Sequence, residues 1–420
     1  MDSHLRGTIA QMQMARRQST IPASLMPVAE ADALICENMP VYPQISCSLD
    51  AVSGTVLRED IFAERDEPPF DRVMMDGIAI RYSDWLRGDR TFRICGEQPA
   101  GRPGEVLDAE SGCFEVMTGA VLPTGADCVI PLEQIDIVDD SATLKAEPKR
   151  GQFIHQRASD RRAGDELLSA GTVIGGPEMI ILASAGKGTV AVTRRPSFSV
   201  ISTGDELVDV DQPIESHQIR RSNDRGLDAT LKRHGLEDVR RDHLRDDPDL
   251  LSERIAQHLK DTDVLILSGG VSMGRCDHIP QILQELGVEV VFHKIAQKPG
   301  KPMWFGVSRD GKPVFALPGN PVSSLVCLVR YVIPAVCDAM QARSTEFETV
   351  RLSETVRFRP SLTYFVPVRI RNNDGVVEAL PRPPQNSGDF AALAGTDGII
   401  ELPEGRNEYP RGFSARLYRW

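Results

Sequence analysis

Between Ser197 and about Arg343 short apolar runs alternate with amphipathic stretches, and the two periods are easy to separate. "SFSVIST" (197–203), "DVLILS" (263–268), "VEVVFHKIA" (288–296) and "PVFAL" (313–317) have the length and composition of strands buried on both faces. Between them, "DRGLDATLKRHG" sets Leu227 and Leu231 on one helical face and stops at Gly235. "DPDLLSERIAQHLKD" places Leu250, Leu251, Ile255 and Leu259 together behind Pro248, and "HIPQILQELG" ends at Gly287. Asn320 and Pro321 cap and open the next helix. Strand and helix in alternation predict a doubly wound α/β domain, a parallel sheet with helices on both faces. Ligands of such sheets lie at the carboxyl ends of the strands.

The texture differs on both sides. Residues from about 22 to 195 hold short alternating runs such as "TFRICGE" and "CFEVMTG", split by Gly and Pro, with a few helices such as "GPEMIILASAG" (176–186). After Phe347, "TVRLSETVRF", "TYFVPVRIRNNDGVVEAL" and "FSARLYRW" alternate between turn signals and predict a small, separate all-β domain. No internal repeat or low-complexity tract is present.

At 420 residues, two to four domains are expected. With 41% hydrophobic and 26% charged residues the composition is that of a soluble globular protein. No apolar run reaches the ~18 residues of a membrane span, the one after Asn320 being broken by Arg330 and Pro334. The first 21 residues carry Arg16 and Arg17 without an apolar stretch behind them, as in a loosely ordered tail rather than a signal peptide. Eight cysteines without a C-x-x-C pair predict neither a zinc ribbon nor a disulfide framework, and a reducing cytoplasm fits. A formal charge of −12 argues against nucleic acid as a partner but leaves a small anionic ligand open.

The expected strand ends carry a coherent chemistry. "STGDEL" brings Glu206; "GGVSMGRCD" brings Gly269, Gly270, Ser272 and Asp277; "RDDPD" brings Asp246. "KIAQKPGKP" brings Lys294, Lys298 and Lys301, and "LPGNPVS" brings Pro318, Asn320 and Pro321 at a helix start. Glycines let a ligand approach the amides, and helix-start amides with lysines suit a phosphate or another oxoanion. Glu206, Asp246 and Asp277 can hold a Mg²⁺ that bridges to phosphate oxygens. Each motif alone has a plainer reading as a cap, a rigid loop or a helix entry. Four of them at successive strand ends outweigh it.

Together with "PPFDRVMMDGIA" (68–79), "MTGAVLPTGADCVI" (117–130) and "NSGDFAALAGTDGIIELPEG" (386–405), these motifs make the chain resemble the MoeA/gephyrin E-domain family, the molybdopterin molybdenumtransferases, from about residue 22 to the C-terminus. The resemblance implies a helical linker (22–60 and 161–195), an inserted β-rich domain (61–160), a molybdopterin-binding α/β domain (196–345) and a C-terminal β-barrel (346–420). It implies insertion of molybdate into adenylylated molybdopterin with release of AMP, Mg²⁺ dependence, and a homodimer whose cleft joins two subunits. Partnership with further proteins of molybdenum cofactor biosynthesis is also implied, as is cytoplasmic residence without membrane or nucleic-acid binding. Matched motif by motif, the family's site residues fall on Asp76, Thr118, Glu206, Asp246, Asp277, Lys294, Lys298, Pro318, Pro321 and Ser387. Gly269 and Gly270 are then expected to cradle a phosphate. Three rivals stay open: an adenylyltransferase with the same central fold, a non-catalytic scaffold, and a tungstate-handling relative.

The chain also departs from the family pattern. Ile78 replaces the usual tyrosine of "MDGYA", a phenol able to stack or to hydrogen-bond. In "GQFIHQRASD" His155 stands at the usual arginine and Ser159 at the usual glutamate, with Asp160 kept; Ala391 stands where serine is common. Loss of the arginine is expected to weaken anion binding at that place.

Overall fold

The computed structural model describes residues 25–271, 278–343, 347–386 and 388–420. The expected tail 1–21 and the site candidates Ser272, Asp277 and Ser387 lie outside the described residues.

Two short strand pairs mark where the chain leaves its first part and returns to it. Gln44–Ser48 pairs antiparallel with Thr189–Thr193, and Ile61–Phe62 with Glu166–Leu168. The intervening chain forms a six-stranded sheet in the order Cys128–Pro131, Gly77–Ile80, Gly112–Val116, Thr91–Gln98, Ser141–Leu144, Ile135–Val138. The two-residue period sorts its faces: Ile78 and Ile80 pack with Phe92 and Ile130, whereas Ala79 packs with Phe114 and Val129. Position 78 is therefore core. The isoleucine that stands at the family's usual tyrosine is itself a packing residue of this sheet.

The central sheet has the order Val239–Leu244, Phe198–Thr203, Val264–Ser268, Pro313–Leu317, Trp304–Val307, Glu289–His293. The first four strands are parallel. Trp304–Val307, which the apolar pattern did not single out, runs antiparallel to both neighbours and corrects the all-parallel expectation. The reason is local: Ser308 N–H donates to Lys312 O at 2.9 Å and Gly311 has φ +78°, a hairpin too short for a crossover. One face is covered by Asn223–Arg233 and Pro321–Ala339 through Leu227, Leu231, Val322 and Val326. Leu251 and Ile255 of Pro248–Asp261 and Ile279 and Leu283 of Ile279–Glu285 cover the other. Strand order reverses between Phe198–Thr203 and Val264–Ser268, and there the carboxyl-end loops diverge and leave a crevice.

The helix after Asn320 does not break at Arg330 or Pro334. It runs Pro321–Ala339, with a π segment over Leu328–Val332 that opens the turn in which the Pro334 ring would otherwise meet the carbonyl of residue 330. It is long and apolar enough to cross a membrane, but 78% of that stretch is buried in the fold. Arg330 is the exception within its core. Its guanidinium makes two bonds to Asp32 (2.8 and 2.6 Å) on the helix Val28–Asn38 and one to Glu401 (3.0 Å) in the C-terminal part.

That C-terminal part is a closed five-stranded barrel: Thr363–Asn373, Val376–Pro381, Thr349–Leu352, Ser414–Arg419, Gly398–Leu402 and back to the first. Alternation again decides the packing. Val366, Ile400 and Leu417 fill the barrel, while Phe365, Ile399 and Tyr418 pack against the long central helix. The barrel thus has a core of its own and docks on the central domain. Gln297–Lys298 of the central domain adds to it as a parallel sixth strand, Lys298 opposite Tyr364.

Candidate active site

At the crevice lies a cavity of about 470 Å³, walled by Thr203, Gly204 and Glu206 after the first strand, Asp246 after the second and Ser268–Val271 after the third. Pro318–Pro321 closes it from the opposite side. A second, more apolar hollow of about 790 Å³ continues from it, sharing Ser222, Asn223 and Gly319–Pro321 and reaching Gly388, Phe390 and Leu393 of the barrel.

The paired glycines are required by close approach. Gly269 has φ +108°, and a Cβ there would meet Thr203 O at 2.7 Å; Gly270 has φ +64°, and its Cβ would meet Ile279 at 2.7 Å. Gly269 N–H donates to Leu317 O at 3.2 Å, which brings Gly319 against bare backbone. Facing the cavity, Thr203 is buried and its Oγ1 has no hydrogen-bond partner among the described residues. A buried polar atom without a partner is costly, and a bound polar ligand relieves it.

On the acidic side, Asp246 N–H donates to Asp205 Oδ1 at 3.3 Å. Burial pushes the Asp246 carboxyl above the usual aspartate range, and the charges of Asp205 and then Glu206 push it further. Among the described residues no group of three His, Cys, Asp or Glu side chains is placed to hold a metal. Carboxylates that repel one another at the edge of the cavity nevertheless fit Mg²⁺, which takes one or two carboxylates and completes its shell with water and phosphate oxygens.

Of the residues singled out in the sequence, Glu206, Asp246, Gly269, Gly270, Pro318, Asn320 and Pro321 meet at this cavity. The lysines do not line it; in their segment only Pro302 does. Lys294 has φ +74° and its N–H donates to Met303 O at 2.9 Å; the neighbouring His293 Nε2 donates to Val271 O at 3.2 Å and ties the segment to the glycine turn. Lys298 lies on the barrel, its Nζ 6.0 Å from the centre of the Phe358 ring, and Lys301 is exposed at the rim beside Pro302. Asp76 and Thr118 are brought together elsewhere, on the inserted domain. Asp76 Oδ1 accepts from Thr118 N (2.6 Å) and Thr118 Oγ1 (2.8 Å), and these bonds, the backbone one first, hold its carboxyl below the usual range. Neither residue lines the cavity.

Among the wall residues that escaped the sequence reading are Arg220, Arg221 and Asn223. Asn223 Nδ2 donates to Gly319 O (2.7 Å) and Ser268 Oγ (2.8 Å), stitching three strand-end loops together. The carbonyl fixes which end of the amide is nitrogen, so Oδ1, without a partner among the described residues, is the acceptor left for a ligand. Arg221 reaches Asp209 Oδ2 at 3.0 Å. The available signal was "RRSN" directly ahead of an amphipathic helix, basic residues at a helix start.

Family models match in three consecutive blocks: the MoeA N-terminal region (domain I and II) over residues 26–186, a probable molybdopterin binding domain over 199–337, and the MoeA C-terminal region (domain IV) over 349–419. A molybdopterin molybdenumtransferase of Synechocystis sp. is 41% identical over 400 residues, covering 94% of this chain and 100% of the relative. One from Staphylococcus aureus is 30% identical over 397 residues, 93% of each chain. The crystal structure of a molybdopterin biosynthesis MoeA protein from Pyrococcus horikosii superposes with a TM-score of 0.75 at 28% identity, covering 94% of this chain and 99% of that one.

Proposed function

The chain belongs to the MoeA family of molybdopterin molybdenumtransferases, and on that premise we propose that it inserts molybdate into adenylylated molybdopterin and releases AMP. The observation that carries this reading is the cavity at the strand ends, where bare glycine backbone, a helix start and a repelling carboxylate cluster converge. Backbone amides and Asn223 bind the phosphates and polar ring edges of the substrate. Glu206 and Asp246, with Asp277, would hold Mg²⁺, and the ion would supply charge neutralisation at the phosphate. Each dithiolene sulfur that bonds molybdenum displaces an oxide, and the oxide leaves as water after taking up two protons. Asp246, whose carboxyl is pushed up by burial, is suited to carry such a proton. One further water splits the adenylate linkage and releases AMP. Lys294, Lys298 and Lys301 draw molybdate to the rim.

The site is shared between two subunits in this reading: Asp76 and Thr118, away from their own cavity, complete that of a partner copy, and Ser387 is the barrel's contribution. The domain limits 22–60 with 161–195, 61–160, 196–345 and 346–420, cytoplasmic residence, and contact with other proteins of the same biosynthesis belong to the same proposal.

The test is a reconstituted assay with purified protein, adenylylated molybdopterin, Mg²⁺ and either molybdate or tungstate. Stoichiometric AMP and active cofactor are expected. Consumption of ATP to make the adenylate would show an adenylyltransferase instead, and no turnover at all a scaffold.

A further inference from the structure

Segment 72–76 of the inserted domain carries both Arg72 and Asp76 and is gripped from two sides. On one side Val73 N–H donates to Ala120 O at 3.0 Å and Gly119 N–H to Val73 O at 2.9 Å, which sets Arg72 beside the Thr118 loop. On the other, Arg72 stands directly opposite His155 in the strand pair. Arg72 Nη2 meets His155 Nδ1 at 2.9 Å, and His155 Nε2 meets Asp160 Oδ1 at 2.8 Å. A guanidinium has only donors, so Nδ1 accepts, the ring proton sits on Nε2, and the imidazole between the two charges is neutral. Asp160 therefore bonds the ring and not the arginine. Among the described residues the bond to His155 is the one Arg72 side-chain bond present, and no carboxylate lies within ion-pair distance of it. A half-buried guanidinium, aimed by the ring and in no direct ion pair among the described residues, with the Asp160 charge reaching it only from beyond the imidazole, keeps donors free for an anion.

We propose that Arg72 is the oxoanion-binding guanidinium of this face, taking the place of the arginine that the family motif puts at 155. His155 and Asp160 act as its positioning residues. The group bound is a tetrahedral oxoanion, either molybdate or a phosphate of the adenylylated substrate. Strand register makes the transfer simple, since positions 72 and 155 are direct cross-strand neighbours. The inference rests on the reading of the Asp76–Thr118 face as part of the transferase cleft.

Four full-length variants test it: Arg72→Gln, His155→Arg, the double change Arg72→Asn with His155→Arg, and Asp76→Asn. The readouts are KM for molybdate, KM for adenylylated molybdopterin, kcat and melting temperature. Arg72→Gln should raise one KM roughly 10- to 100-fold, the loss of one charge-assisted contact, with little change in melting temperature. Which KM moves tells molybdate from substrate phosphate. His155→Arg alone should be impaired because two guanidiniums then face each other, and the double change should recover most of the lost affinity. Wild-type values of both KM in Arg72→Gln would overturn the proposal, as would a loss that follows melting temperature and is not rescued by the double change. If Asp76→Asn is fully active, the cleft reading of this face fails; if it is impaired while Arg72→Gln is silent, only the role of Arg72 fails.

Discussion

At the scale of single residues, the cavity depends on positions with no room for a side chain and on one displaced proton equilibrium. Gly269→Ala should cost roughly 1–3 kcal/mol, because φ +108° disfavours an L-residue and the new Cβ would sit 2.7 Å from Thr203 O. Gly319→Ala is the control: its nearest neighbour would be 3.5 Å away, an ordinary contact. Denaturant unfolding of both, with AMP release alongside, checks this; equal stability of the two would remove the close-approach argument. For Asp246 the sign follows from its raised carboxyl. It takes up a proton at higher pH than an ordinary aspartate, so Mg²⁺ competes with that proton as pH falls. The Mg²⁺ concentration for half-maximal rate should therefore rise as pH falls. Asp246→Asn should raise it at every pH and flatten the slope. For the fold itself the sign is opposite: with the folded-state value raised, ionisation of Asp246 costs stability as pH rises through that value.

At the scale of elements, the helix Pro321–Ala339 holds three modules through one side chain. Arg330, 7% exposed, is bonded to Asp32 of the first helix and to Glu401 of the barrel, whose carboxylate also accepts from Tyr418 OH at 2.8 Å. Removing one partner of a buried ion pair leaves the others uncompensated. Arg330→Met should therefore destabilise by about 3 kcal/mol, the low end of that range because Asp32 is 38% exposed and water screens it. Adding Asp32→Asn and Glu401→Gln should return part of the loss. Urea midpoints of the single and triple variants decide it; no recovery would mean that Arg330 acts through packing of its stem. A second clamp joins the strand Thr189–Thr193 to the central sheet. Arg194 bonds Asp263 at 2.8 and 2.9 Å, and although burial raises that carboxyl, Arg194 and Ser197 hold it at about 2.

At the scale of the whole molecule, Asp76 lies away from the cavity, and the proposed role for it there requires a second subunit. If the cleft is shared, Asp76→Ala and Asp246→Ala homodimers should each be inactive. Co-expressed, about half the dimers pair unlike subunits, and each of these has one doubly damaged and one intact site, so roughly a quarter of wild-type activity should return. If Asp76 serves its own subunit, every site carries a lesion and nothing returns. Assaying the purified mixed dimers settles the matter.

Local period was enough for much of this protein. Leu227 with Leu231 and Leu251 with Ile255 repeat at helical spacing, and the alternation after Thr363 announces a barrel strand, because burial on one face imprints its period on the chain. The glycine pair at a strand end and the carboxylates Glu206 and Asp246 were legible as a site for the same reason: ligands gather where strands end. What the chain could not disclose lies across it. Arg72 meets His155 over 83 residues and Arg330 meets Asp32 over 298. Asn223 joins the site only because two other loops end beside it, and Lys298 stands off the cavity wall because its strand is claimed by the barrel. Spacing along a chain records which face of an element is buried. Which elements then become neighbours is set by register and docking, and those are decided only when the tertiary structure forms.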